Sequence, residues 1–153
     1  MKIAAAKGFS LIELLIVIAI MGITATMGSF AWQHYYNNSN LRLAGRQVMV
    51  DISKTKSKAV AKMDTAFTMT FTTTSYTTYP DNIQSTTVMT RKLTDFGPGI
   101  TFTSYPTGGI LTFLTRGTIS PSPGTITLIN SRGSKAEITY NQTGKTYVKF
   151  TMQ

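Results

Sequence analysis

Cysteine is absent from all 153 residues. That excludes disulfides, zinc–thiolate sites and thiol nucleophiles, so a domain outside the reducing cytosol must be held by its own core. Acids are scarce. Six Asp plus Glu stand against fifteen Lys plus Arg, for a formal charge of +9. Such a balance favours anionic partners, nucleic acid or lipid head groups, over a merely solvated basic surface only if further motifs support it. There is one His, His34, and outside Glu13 the acids are Asp51, Asp64, Asp81, Asp95 and Glu137. They form no close set for acid–base or metal chemistry. Asp81 and Asp95 lack the dense oxygen ligands of a calcium loop. "FGPGI" and "YPTGG" are turns, since neither leads into a helix with Lys-Ser/Thr as a phosphate loop does. An enzyme is not expected, nor any cofactor.

Proline is missing before Pro80, and the chain up to that point carries a long helical signal. From Leu11 to Trp32 the residues are apolar apart from Glu13 and small ones such as Gly22, Thr24, Thr26 and Gly28. About 20 such residues span a bilayer. Trp32, Tyr35 and Tyr36 stand where an interfacial aromatic belt would lie. A small-residue cleavage site after the run is missing, which argues for a retained helix over a removed signal peptide. Beyond it, Leu41, Ala44, Val48, Ile52, Thr55, Ala59 and Met63 recur at three- and four-residue steps. They form one stripe of an amphipathic helix, with Gly45 tolerated at a cost of about 1 kcal/mol. One helix is expected from about Phe9 to about Lys62. Its back half needs a surface to lie on.

From Ala66 the texture changes. "FTMTFTTTSYTTY" (Phe67–Tyr79) is rich in Thr and aromatics, which favour strands. The rival reading, a glycosylated or disordered stalk, conflicts with the interleaved Phe67, Met69, Phe71, Tyr76 and Tyr79. "GILTFLTRG" reads as a short strand bounded by Gly, and "GTITLINSRG" puts Ile126 and Leu128 on one face. "KAEITYNQTGKTYVKF" reads as two strands joined at Asn141–Gly144. A long helix followed by short strands is an α+β layout, with the helix stripe packed on an antiparallel sheet. The expected division is 1–8 leader, 9–36 membrane or filament-core helix, 37–63 amphipathic continuation and 64–153 β-rich domain.

In "KGFSLIELL" a short basic leader ends at Gly8, Phe9 follows, and Glu13 lies four residues on, inside the apolar helix. This resembles the amino-terminal signal of type IV pilins and type II secretion pseudopilins. The resemblance implies cleavage between Gly8 and Phe9 by a prepilin peptidase and methylation of the new amine on Phe9. It also implies that Glu13 meets the terminal amine of a neighbouring subunit during assembly. A buried carboxylate is tolerated when paired and costly when alone, so Glu13 suits an assembly latch better than a charge snorkelling to the membrane surface. Charge leaves the orientation open, because Lys2 and Lys7 precede the helix while Arg42 and Arg46 follow it. The resemblance places the carboxyl-terminal domain outside the cytosol, with the chain in the inner membrane before assembly and then in a periplasmic pseudopilus or an extracellular pilus. A Pro that many pilins carry in this helix is replaced here by Phe30.

The remainder, through "SKTKSKAVAK" and "RGTISPSPGTITLINSRGSKAEITYNQTGKTYVKF", resembles the GspH/FimT minor pilins and pseudopilins. An acidic residue frequent near the helix end in that family is Lys58 here. The implied partners are other pilin or pseudopilin subunits, the prepilin peptidase and inner-membrane lipid. DNA is a further candidate partner. In "GKTYVKF" period two puts Lys145, Tyr147 and Lys149 on one face and Thr146, Val148 and Phe150 on the other. Cations flanking a ring suit nucleic acid, Arg132 and Lys135 could extend the strip, and Gly144 followed by basic residues resembles a pattern linked to DNA binding in some FimT-like pilins. A solvated edge strand guarded by Lys is the plainer reading of the same residues. The functions in view are a minor pilin or pseudopilin, a DNA-uptake minor pilin and a major pilin.

Overall fold

The computed structural model describes residues 9–63, 67–80 and 89–153, with the side chains of 27–31 excepted. The leader with Lys2, Lys7 and Gly8 lies outside the described residues, as do Asp64 and Asp81. Helix α1 runs Leu11–Lys62. It begins where the Ser10 carbonyl accepts the Glu13 and Leu14 N–H groups at 3.0 and 3.2 Å. It ends with Lys62 in its last turn, where a cation meets the negative end of the helix dipole. Met63 then takes a left-handed φ of 52° that stops the helix. Among the described residues, no helix is long and apolar enough to cross a membrane. The expected span would continue through 27–31, whose side chains are not described.

The chain falls into two compact units, one ending at Tyr36 and one running Asn37–Gln153. The first contains the front of α1. Among the described residues, the second contains the rest of α1 and nine strands: β1 Phe67–Phe71, β2 Ser75–Tyr79, β3 Met89–Lys92, β4 Thr101–Ser104, β5 Ile110–Phe113, β6 Ile119–Ser120, β7 Gly124–Ile129, β8 Lys135–Tyr140 and β9 Thr146–Thr151. They form two antiparallel sheets, ordered β3-β2-β1-β5-β6 and β4-β7-β8-β9. The Thr-rich stretch is the β1–β2 hairpin, with Phe67, Met69, Phe71 and Tyr76 buried. It is a core element rather than a stalk.

The helix stripe is the seam of the second unit. Leu41, Ala44, Val48, Ile52, Thr55 and Ala59 are all buried, each large aliphatic side chain among them contributing about 1.5–3 kcal/mol. Met63 is the correction to that stripe. It lies past the helix end and is 79% exposed, because the left-handed turn takes it off the helical period. Strands of both sheets supply the opposing side, through Met69, Tyr76 and Leu111 from one and Ile126, Leu128, Ile138 and Tyr140 from the other. Gly45 marks a close approach. A Cβ there would stand 3.1 Å from the Ala136 Cβ and 3.2 Å from the Phe150 ring. The expected helix cost of Gly45 is thus offset by close packing against β8 and β9. At the other end of the stripe the chain terminus is tied down. Asn38 Nδ2 donates to the Gln153 carbonyl at 3.3 Å, and Ser134 Oγ donates to Asn38 Oδ1 at 2.8 Å.

Candidate functional site

The front of α1 carries an unusual surface. Phe9 and Leu11 are each 83% exposed, and Ile12, Leu14, Leu15, Ile16, Val17, Ile18, Ile20, Met21 and Ile23 are exposed on every side of the helix. A patch of that extent marks a surface meant for lipid or for other protein. Glu13 lies in the first turn of this helix, the end at which a carboxylate is favoured by the backbone N–H groups. Thr24 turns its hydroxyl inward and donates to the Ile20 carbonyl at 3.0 Å, so it adds little polarity to the surface.

The second candidate is the outer face of the four-stranded sheet. In β9 the side chains alternate as expected. Thr146, Val148 and Phe150 turn toward the core, whereas Tyr147 and Lys149 are exposed. Lys135 is exposed on β8 and pairs with Thr151 across the sheet, and Tyr147 pairs with Thr139. Lys145 needs a correction. It was expected on the strand face, but β9 begins only at Thr146, and the Asn141 N–H donates to the Lys145 carbonyl to close the loop at 3.1 Å. Its side chain still reaches the strip, with Nζ 5.1 Å from the Tyr147 ring centroid. Hydrogen bonding with the Tyr147 side chain raises the Lys145 pKa. Lys149 faces Glu137 across the β8–β9 pair, which tempers the positive strip. Arg132 sits in the β7–β8 turn, partly buried, with its backbone N–H donating to Asn130 Oδ1 at 3.0 Å. The structure therefore brings Lys145 to Tyr147, with Lys149 on the same strand, and leaves Lys135 at the opposite end of the hairpin, near the turn in which Arg132 is engaged.

Sequence reasoning passed over a third cluster. Asp51, on α1 and 1% exposed, accepts hydrogen bonds from Tyr76 Oη at 2.7 Å, Arg91 Nε at 2.8 Å and Gln47 Nε2 at 3.0 Å. Burial, followed by the bond to Asp51, pushes the Tyr76 phenol far above its ordinary range, so it remains neutral and donating. The available signal was position. Asp51 falls among Val48, Ile52 and Thr55 on the buried stripe, where a lone carboxylate requires partners. Its partners, far along the chain, were not visible from spacing.

Residues 3–29 match the family model described as the prokaryotic N-terminal methylation motif. A structure of the type IV minor pilin FimU from Pseudomonas aeruginosa (strain PAO1) superposes with a TM-score of 0.57 at 15% identity, covering 71% of this chain and 92% of that one. The likeness is one of fold, behind that amino-terminal motif. The minor pseudopilin EpsH from the type 2 secretion system of Vibrio cholerae gives a TM-score of 0.56 at 12% identity, covering 72% of this chain and 97% of its own. No curated protein sequence matches this chain. The long helix on antiparallel sheets is the fold of these two relatives. Motif and fold together support a subunit of a pilus or pseudopilus.

Proposed function

We propose that the chain is a minor subunit of a type II secretion pseudopilus or a type IV pilus and assembles through its amino-terminal helix. The observation that carries this reading is the aliphatic surface exposed all round the front of α1, with Glu13 in its first turn, inside a methylation motif. Before assembly that surface is covered by the lipid of the cytoplasmic membrane, with residues 37–153 outside the cytosol. In the filament it is covered by the helices of neighbouring subunits. A prepilin peptidase cuts between Gly8 and Phe9 and methylates Phe9, removing the leader 1–8. The new amine lies one helical turn from Glu13, and in an apolar bundle the carboxylate of one subunit is stabilised by the amine of another. Segment 9–36 then serves as filament core, 37–63 as the helix that the β-rich part, 64–153, packs against. The test is Glu13→Ala. Removing a charge makes insertion into a bilayer easier, so membrane levels should hold while capture by partner pilins falls. Capture at the level of the unaltered chain would overturn the latch.

The approach of Lys145 to Tyr147, with Lys149 further along the same strand, favours a second reading, a DNA-uptake minor pilin. Glu137 opposite Lys149 weighs against it. A major pilin would carry the same motif, and the amount of the chain in sheared filaments separates major from minor.

A further inference from the structure

We propose that the cleft between α1 and the β2–β3 hairpin is a binding site for a single compact oxyanion, a carboxylate or a phosphate group. The cleft has a volume of about 150 Å³ and is lined by Lys54 and Lys58 from α1, Thr78 from β2, Met89 and Arg91 from β3, and Asp51 at its side. The strand register explains the convergence. Tyr76 pairs with Arg91 and Thr78 with Met89, and Tyr76 and Thr78 are the buried residues of β2. The same side of this hairpin therefore meets α1, one helical turn beyond Asp51.

Three features point to an anion. Three cations line the cleft against one carboxylate, and that carboxylate is already engaged by Tyr76, Arg91 and Gln47. Among the described residues, no ion pair joins Lys54 or Lys58 to an acidic side chain. The bond from Arg91 uses Nε, which leaves the terminal amino groups of its guanidinium for a second acceptor. Asp51 thus fixes the guanidinium plane at the edge of the cleft, as a fork suited to a planar or tetrahedral oxyanion.

The Thr78 hydroxyl separates this cleft from an ordinary solvated lysine face. Thr78 is 3% exposed and lines the cleft, and its Oγ1 has no hydrogen-bond partner among the described residues. A buried hydroxyl left without a partner is disfavoured. An oxyanion seated between the cations would accept from it. The volume is sufficient for one such group. Its source is either an acidic side chain of another subunit or free inorganic phosphate. The site is independent of how the front of α1 assembles, since every lining residue belongs to the second unit.

The experiment is a titration of sodium acetate, and separately of sodium phosphate, into the full-length chain in detergent micelles at constant ionic strength. Chemical shifts of the Thr78 methyl and the Arg91 Nε–H are followed. A saturable shift of both is expected with at least one anion. Tighter binding of acetate assigns the site to a protein carboxylate, and tighter binding of phosphate assigns it to that ion. Thr78→Val, which keeps shape and charge, should weaken binding about fivefold. Lys54→Ala combined with Lys58→Ala, both at exposed positions, should weaken it about tenfold. Shifts that fail to saturate with either anion, or affinities unchanged in both variants, would overturn the site.

Discussion

Asp51 Oδ2 and Arg91 Nε lie 2.8 Å apart and join the middle of α1 to the outermost strand of the five-stranded sheet. Among the described residues the strand pairs with β2 alone, so this contact pins a weakly held edge to the helix. Tyr76, on the adjacent strand, donates to the same oxygen.

Asp51→Ala should lower the stability of the second unit by about 2–3 kcal/mol, because it leaves the Tyr76 hydroxyl and the Arg91 guanidinium without their acceptor. Arg91 is partly solvated, which keeps the loss at the lower end of the range for buried pairs. Urea unfolding followed by circular dichroism should show a lower midpoint with an unchanged slope. A midpoint equal to that of the unaltered chain would mean that solvent replaces the carboxylate.

Alkaline pH acts on the same cluster. Burial holds the Tyr76 and Tyr140 phenols above their ordinary value of 10.0. The sign follows from linkage: a raised folded pKa contributes stability that is intact below the unfolded value and lost as pH rises beyond it. Stability should therefore be level up to about pH 9 and decline above about pH 10. Tyr76→Phe should make that decline shallower, measured as unfolding midpoint against pH. An identical slope in the variant would contradict the assignment to Tyr76.

Much of the architecture was legible before any coordinates. The step of three and four from Leu41 to Ala59 located the buried seam, and period two in "GTITLINSRG" put Ile126 and Leu128 inward. What escaped depends on contacts between distant segments. Gly45 read as a weak point in a helix, and its value is visible only when Ala136 and Phe150 stand against it. Met63 fitted the helical period, yet the helix had already ended. Asp51 was one scattered acid until β2 and β3 brought Tyr76 and Arg91 to it. In the candidate strip, the alternation of Tyr147 and Lys149 was legible, whereas the cross-strand Glu137 was set by a register that hairpin composition does not fix.

The basic hairpin makes a separate prediction. Among the described residues the buried core falls within 41–140, so residues 37–153 can be tested alone. Under the DNA-uptake reading, fluorescence anisotropy with duplex DNA should show sequence-independent binding that weakens steeply with salt. Lys145→Ala with Lys149→Ala should lower both affinity and salt slope. No salt-sensitive binding by the unaltered domain would remove that reading and leave the structural subunit.

The account stands most directly on the state of the chain within filaments. Mass spectrometry of affinity-purified pili or pseudopili from a host with an active prepilin peptidase should find this chain, beginning at a methylated Phe9 and present in smaller amount than the main subunit. A chain that begins at Met1, or one absent from the filaments while abundant in the membrane, would contradict it.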